Sequence, residues 1–360
     1  MLLAGMYAHA SVTLLMEEPY GQVSHLLNPT GHSALYFDHI CADTPTVLRA
    51  CREGEMGVVM SRYDDVGGYD WLAIPLIPYL YAVETAAEIP PTMDRAQEAA
   101  LRDAYRRAHL ESIAPDLANG TAPGSNWYEL VGSSYDRAIW AFQVNSTTEQ
   151  EAALVALFND RKNKERYNGA FTNCADFARV TINRFYPHAI RRNFIADFGL
   201  TTPKSVARAL THYAKHHPEA GLRVYKIPQV AGELGRSHHI QGVAESLLKN
   251  YGVPLVLISP VTASVVLAAY VQHGRFSLPK DAPLVDFRVP ESSALATVAS
   301  PDAGADGKGT ITIENAEAQA VERKADAVET GRGTSMPVGG PVTGSPNAPV
   351  TPAENHGGQP

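Results

Sequence analysis

Thr30-Gly31-His32-Ser33-Ala34-Leu35-Tyr36 and, far downstream, Phe171-Thr172-Asn173-Cys174-Ala175-Asp176-Phe177 are the two stretches that decide how this chain reads. In the first, a histidine follows a glycine and heads the β-like run Ser33–Phe37. In the second, a cysteine opens a helix whose Ala178, Ile182 and Phe185 share one apolar face. A helix N-terminus carries partial positive charge and free N–H groups, so it favours thiolate over thiol. An imidazole within reach pairs with that thiolate and later delivers a proton to a leaving group. Backbone N–H groups at the same helix end suit a developing oxyanion. Asn173 is a good N-cap, and Asp176 can support the first turn.

Working outward, the turn-like Asn28–Gly31 precedes the histidine strand. Val58–Tyr63 and Trp71–Ile77 read as further strands. The aromatic run over residues 69–81 reads as core rather than a substrate wall. A charged amphipathic helix is expected over residues 92–113 and a strand over Tyr135–Val144. Thr147-Thr148-Glu149-Gln150 starts a helix running to about Asn159, and Pro187 stops the cysteine helix. Thr202-Pro203 opens a helix over Ser205–Tyr213. Glu17 and Glu18 are adjacent on a strand, point to opposite faces and so do not form a carboxylate pair.

The order of Gly-His-Ser-Ala-Leu-Tyr at 31–36 and Asn-Cys-Ala-Asp-Phe at 173–177 resembles the circularly permuted branch of the NlpC-type cell-wall peptidases. That branch is papain-like and includes relatives of lecithin retinol acyltransferase. The resemblance covers residues 11–190 and implies an α+β fold, a small antiparallel sheet packed on the cysteine helix. It assigns Cys174 as nucleophile and His32 as base. The family's third polar group lies on the strand after the histidine strand, here Gly57–Tyr63, where Ser61 is the first choice to orient the imidazole, with Arg62 and Tyr63 behind it. Families of this branch more often carry His, Asn or Gln there. Asn173 has two open roles, oxyanion stabilisation through its side chain and capping alone. The implied activity is hydrolysis of an amide or ester through an acyl-enzyme. Peptidoglycan stem peptides are the substrate class that comes with the resemblance, and lipid-ester acyl transfer is a second option. A catalytically inactive envelope or binding module of the same fold is the competing reading.

The rest of the chain bounds these expectations. A net charge of −8 gives no electrostatic reason to expect nucleic acid. No cofactor and no metal is expected. Two of His212, His216 and His217 have helical ligand spacing, but no third ligand follows at a diagnostic distance. Three cysteines in an exported protein suggest one bridge, Cys41 with Cys51, and a free Cys174; three buried thiols are the alternative. Residues 1–10 end in Ala8-His9-Ala10 and read as the remnant of a signal peptide, which points to a periplasmic or cell-envelope location; an ordinary apolar N-terminus is the other reading. Residues 191–288 are expected to form a helical extension. Within it, Gly252–Val271 is uncharged and is followed by Arg275 and Lys280. It reads either as a membrane anchor or as a buried core segment. Residues 289–360 are poor in apolar side chains and are expected to be a disordered tail.

Overall fold

The computed structural model describes residues 10–20 and 30–288. Most of the signal-peptide remnant and the whole expected tail lie outside the described residues. The architecture is α+β, built on an antiparallel six-stranded sheet. Its strands are β1 (Ala10–Glu17), β2 (His32–Phe37), β5 (Val58–Ser61), β6 (Leu72–Pro75), β8 (Ile139–Ser146) and β9 (Arg223–Ile227), in the order β6-β5-β2-β1-β8-β9. Between β2 and β5 the chain makes a separate hairpin, β3 (Ile40–Thr44) and β4 (Val47–Ala50). A short parallel pair joins β7 (Thr92–Met93) to β10 (Ala231–Gly232).

β1 is central and every residue in it is buried. Its alternation sorts side chains into two layers. Val12, Leu14 and Met16 join one core with Ala175, Ala178 and Ile182 of α5 (Cys174–Phe185) and with Val206 and Leu210 of α6 (Pro203–His216). Leu15 joins the other core, with Ile77, Tyr79 and Leu80 of α1 (Leu76–Tyr81) and Tyr105 of α2 (Arg95–His109). The sheet is thus covered on both faces, which explains why its strands read as apolar runs.

Helix starts follow local chemistry. α4 (Thr148–Asp160) begins with a capping box between Thr147 and Gln150, and α6 with one between Thr202 and Ser205 and proline in its first turn. α5 is capped by Asn173. Two expectations are corrected. Trp71–Ile77 is a strand only from Leu72 to Pro75, and Leu76 opens α1. Apart from Pro75 that run is buried, so no polar face marks where the period changes from two to 3.6. Likewise, Tyr135 belongs to the helical turn α3 (Ser133–Asp136), and the strand starts at Ile139. The expected helix over 92–113 is α2, with Thr92 and Met93 in β7.

The segment read as a helical extension also supplies β9, which pairs with β8 and completes the main sheet. Beyond it lie α7 (Val243–Ile258) and α8 (Pro260–Ala269). Among the described residues, no helix is long and apolar enough to cross a membrane. The uncharged segment is not buried core either: it is broken at Ser259, and most of its large aliphatic side chains face outward.

Candidate active site

Gly31 sets the entry to β2. It adopts φ +68°, and a Cβ there would lie 2.1 Å from the carbonyl oxygen of Glu17. Only glycine lets the chain cross the end of β1 so closely and in that conformation. His32 follows and pairs with Glu17 in the β1–β2 register, so the two side chains project side by side.

Cys174 is the first residue of α5, and its free thiol is buried. It and His32 line one cleft of about 390 Å³, together with Thr30, Gly31, Tyr63, Glu129, Arg137 and Tyr167 among others. Burial opposes ionisation of the thiol. The charge of His32, side-chain hydrogen bonding with it and the Ser33 backbone N–H outweigh that cost and hold the thiol below its ordinary range. Burial likewise opposes the His32 cation, but the Cys174 charge and hydrogen bonding raise its pKa, with Glu17 and Glu129 adding to the effect. The pair therefore favours thiolate with imidazolium.

An acidic and phenolic shell surrounds the imidazole. Tyr63 stacks on it with ring centroids 5.3 Å apart and planes 21° from parallel. Glu17 accepts hydrogen bonds from the Tyr79 hydroxyl, from Ser133 Oγ at 2.5 Å and from Arg137 at 3.0 Å. Arg137 also lies 3.9 Å from Glu129 and sits 3.7 Å over the Tyr20 ring. Burial pushes the Glu129 carboxyl up, and the charge of His32 pulls it back. Glu18, one residue past the end of β1, points the other way, accepting from Ser237 Oγ at 2.7 Å and Trp140 Nε1 at 3.2 Å, so the two acids do not form a pair.

The expected third group is corrected. Ser61 Oγ donates to the Ser33 carbonyl at 2.7 Å and braces β5 against β2 instead of orienting the imidazole. The buried Nε2 of His32 has no hydrogen-bond partner among the described residues. Tyr63, two residues further on, is the member of that segment that meets the ring, by stacking. Asn173 serves as a cap: its Oδ1 accepts from Asp176 N at 2.9 Å, and its Nδ2 donates to the carbonyls of Gly169 and Thr201. An oxyanion role for that amide is therefore set aside. Asp176 is a buried anchor, accepting from Arg179, Arg192 and Thr201 Oγ1. It ties the cysteine helix to the loop before α6.

A disulfide joins Cys41 to Cys51 across the β3–β4 hairpin. Outside that hairpin, Asp38, His39 and Glu151 bring potential metal-ligand atoms within 4.8 Å of one another, at the opposite end of β2 from His32. Among the described residues, His212, His216 and His217 join no such group; His212 meets His216 edge-on and His217 stacks on Tyr213.

Glu17, Glu129 and Arg137 carried no motif. The only sequence signal was an acid ending an otherwise apolar strand, Leu14-Leu15-Met16-Glu17. No protein-family model matches the chain, and no curated protein or solved structure matches it either.

Proposed function

We propose that the chain is an exported cysteine hydrolase of the permuted papain-like type, acting on an amide or ester bond. The observation that carries this reading is that Cys174, at the start of α5, and His32, at the head of β2, meet within hydrogen-bonding reach in one cleft, an arrangement that favours thiolate with imidazolium. The thiolate attacks the substrate carbonyl, forming a C–S bond and an oxyanion. As the tetrahedral intermediate collapses, the C–N or C–O bond breaks and the imidazolium gives its proton to the departing amine or alcohol. Water then attacks the thioester with His32 as base, releasing the acid and restoring the thiolate. The N–H groups at the start of α5 are the available oxyanion donors. Tyr63, Glu17 and Glu129 support the imidazolium rather than touch substrate carbonyl carbon. The Cys41–Cys51 disulfide supports an oxidising compartment, and with it an envelope location. Peptidoglycan peptides come first as substrate and lipid esters second, both by resemblance alone.

One observation favours the second reading, an inactive binding module: His32 Nε2 lacks the polar partner that a catalytic histidine ordinarily has. A thiolate-selective alkylating probe at mildly acidic pH separates the two. Rapid labelling of Cys174 in wild type and labelling at least tenfold slower in His32→Ala support the enzyme. Equal, slow labelling in both removes the activated nucleophile and leaves the module. Turnover of cell-wall fragments or ester lipids by wild type, absent in Cys174→Ala, then identifies the bond.

A further inference from the structure

α7 and α8 form a hairpin that turns at Ser259, whose hydroxyl caps α8. Among the described residues, only one side of it is held. Ala244 and Val266 pack with Ala196, supported by Leu247, Leu255 and Tyr270. The other side and the tip are bare: Val253 is 74% exposed, Leu257 80%, Ile258 84% and Val261 73%. Val256, Val265 and Leu267 are also exposed. No charged residue lies between Gly252 and Val271. Soluble surfaces do not ordinarily leave so continuous an aliphatic ridge in water.

The base of the hairpin has the opposite character. A groove of about 700 Å³ runs beside it, lined by Lys204, Lys226, Lys249 and Lys280 together with Trp140 and Phe276. Glu245 neutralises part of this charge by pairing with Lys204 and Lys249, whereas Lys226 lies 5.0 Å over the Trp140 ring. Tyr251, midway along α7, and Arg275, just after the turn that follows α8, are exposed. The loop before α6 adds exposed Phe194, Ile195 and Phe198, and is fixed to the base by Asp197, which caps the α7 Val243 N–H at 3.0 Å.

We propose that this hairpin inserts into one leaflet of an anionic phospholipid bilayer, with the lysine-lined groove receiving lipid headgroups. The order of properties matches a membrane interface: aliphatic tip, aromatic shoulder, basic base. The length matches too. α8 has ten residues, a rise of about 15 Å, which is about half the hydrocarbon thickness of a bilayer. Residues 289–360 are a poor cover by composition, with one leucine and no phenylalanine, tyrosine or tryptophan. The proposal uses none of the catalytic residues and stands or falls apart from the hydrolase reading.

Vesicle flotation of the full chain tests it, with phosphatidylcholine vesicles and with vesicles containing phosphatidylglycerol. Wild type is expected to float with the anionic vesicles, more weakly with the neutral ones, and less at high salt. Leu257→Asp with Val261→Asp should keep the melting temperature, because both sites are exposed, and cut the bound fraction at least tenfold. Lys226→Glu with Lys280→Glu should erase the preference for anionic lipid. Leu257→Trp should show blue-shifted emission quenched by brominated lipid. Wild type remaining in the dense fraction with both vesicle types overturns the proposal, as does flotation of the folded aspartate variant at wild-type level. A dimer in light scattering that the aspartate pair dissolves, without any flotation, assigns the ridge to a second copy and overturns it equally.

Discussion

Glu17 stands directly opposite His32 across the β1–β2 pair, and the same carboxylate accepts hydrogen bonds from Tyr79, Ser133 and Arg137. The strand register therefore places a held negative charge beside the imidazole that pairs with Cys174. Glu17→Gln removes that charge while keeping the shape. It should lower the His32 pKa and slow Cys174 alkylation at mildly acidic pH severalfold, read by histidine NMR titration and probe kinetics. It also leaves Arg137 buried without its main counter-charge, so a loss of about 3 kcal/mol in denaturant unfolding is expected.

Gly31 makes this register possible. Gly31→Ala would force a methyl group into the Glu17 carbonyl at a positive φ. The chain must move, carrying His32 with it. Stability should fall by about 2 kcal/mol or more, and acid-range labelling of Cys174 should drop toward the His32→Ala level. Thermal melting and alkylation rates check the two effects together.

The disulfide makes a prediction in the folded and unfolded states alike. Cys41 and Cys51 are 10 positions apart. Replacing both with serine frees the hairpin loop in the unfolded chain and should cost about 2–3 kcal/mol by the loop-entropy account. Because the hairpin lies apart from the main sheet, Cys174 labelling should be unchanged in the still-folded variant. A large change in labelling would mean that the hairpin supports the cleft.

Glu151 gives a pH dependence with a definite sign. Burial, with added repulsion from Asp38, raises its carboxyl to about 7, and the Ser146 hydroxyl offsets only part of this. An acid with a raised folded-state pKa binds its proton more tightly when folded. Its unfavourable ionisation therefore erodes stability as pH climbs from the unfolded value through about 7. Glu151→Gln should remove this erosion and be more stable than wild type at pH 8 by about 1–3 kcal/mol. Urea unfolding across pH 5–8 measures it; parallel pH profiles for the two proteins would refute the assignment.

Local chemistry let the sequence alone determine a good deal. The starts of α4, α5 and α6 are each written in four residues, a cap and the N–H three positions on, so they were legible without any partner. So was the placing of a histidine at a strand head and a cysteine at a helix start. Tertiary structure decided the rest. Leu76–Tyr81 became helix because a fully buried run has no polar face to show its period. Ser61 gave way to Tyr63 beside His32 because strand register, which sequence patterning leaves open, chooses which side chain faces which. Glu129 and Arg137 reach the cleft only through packing of segments remote in the chain, and whether an apolar helix is covered or bare depends on what folds against it.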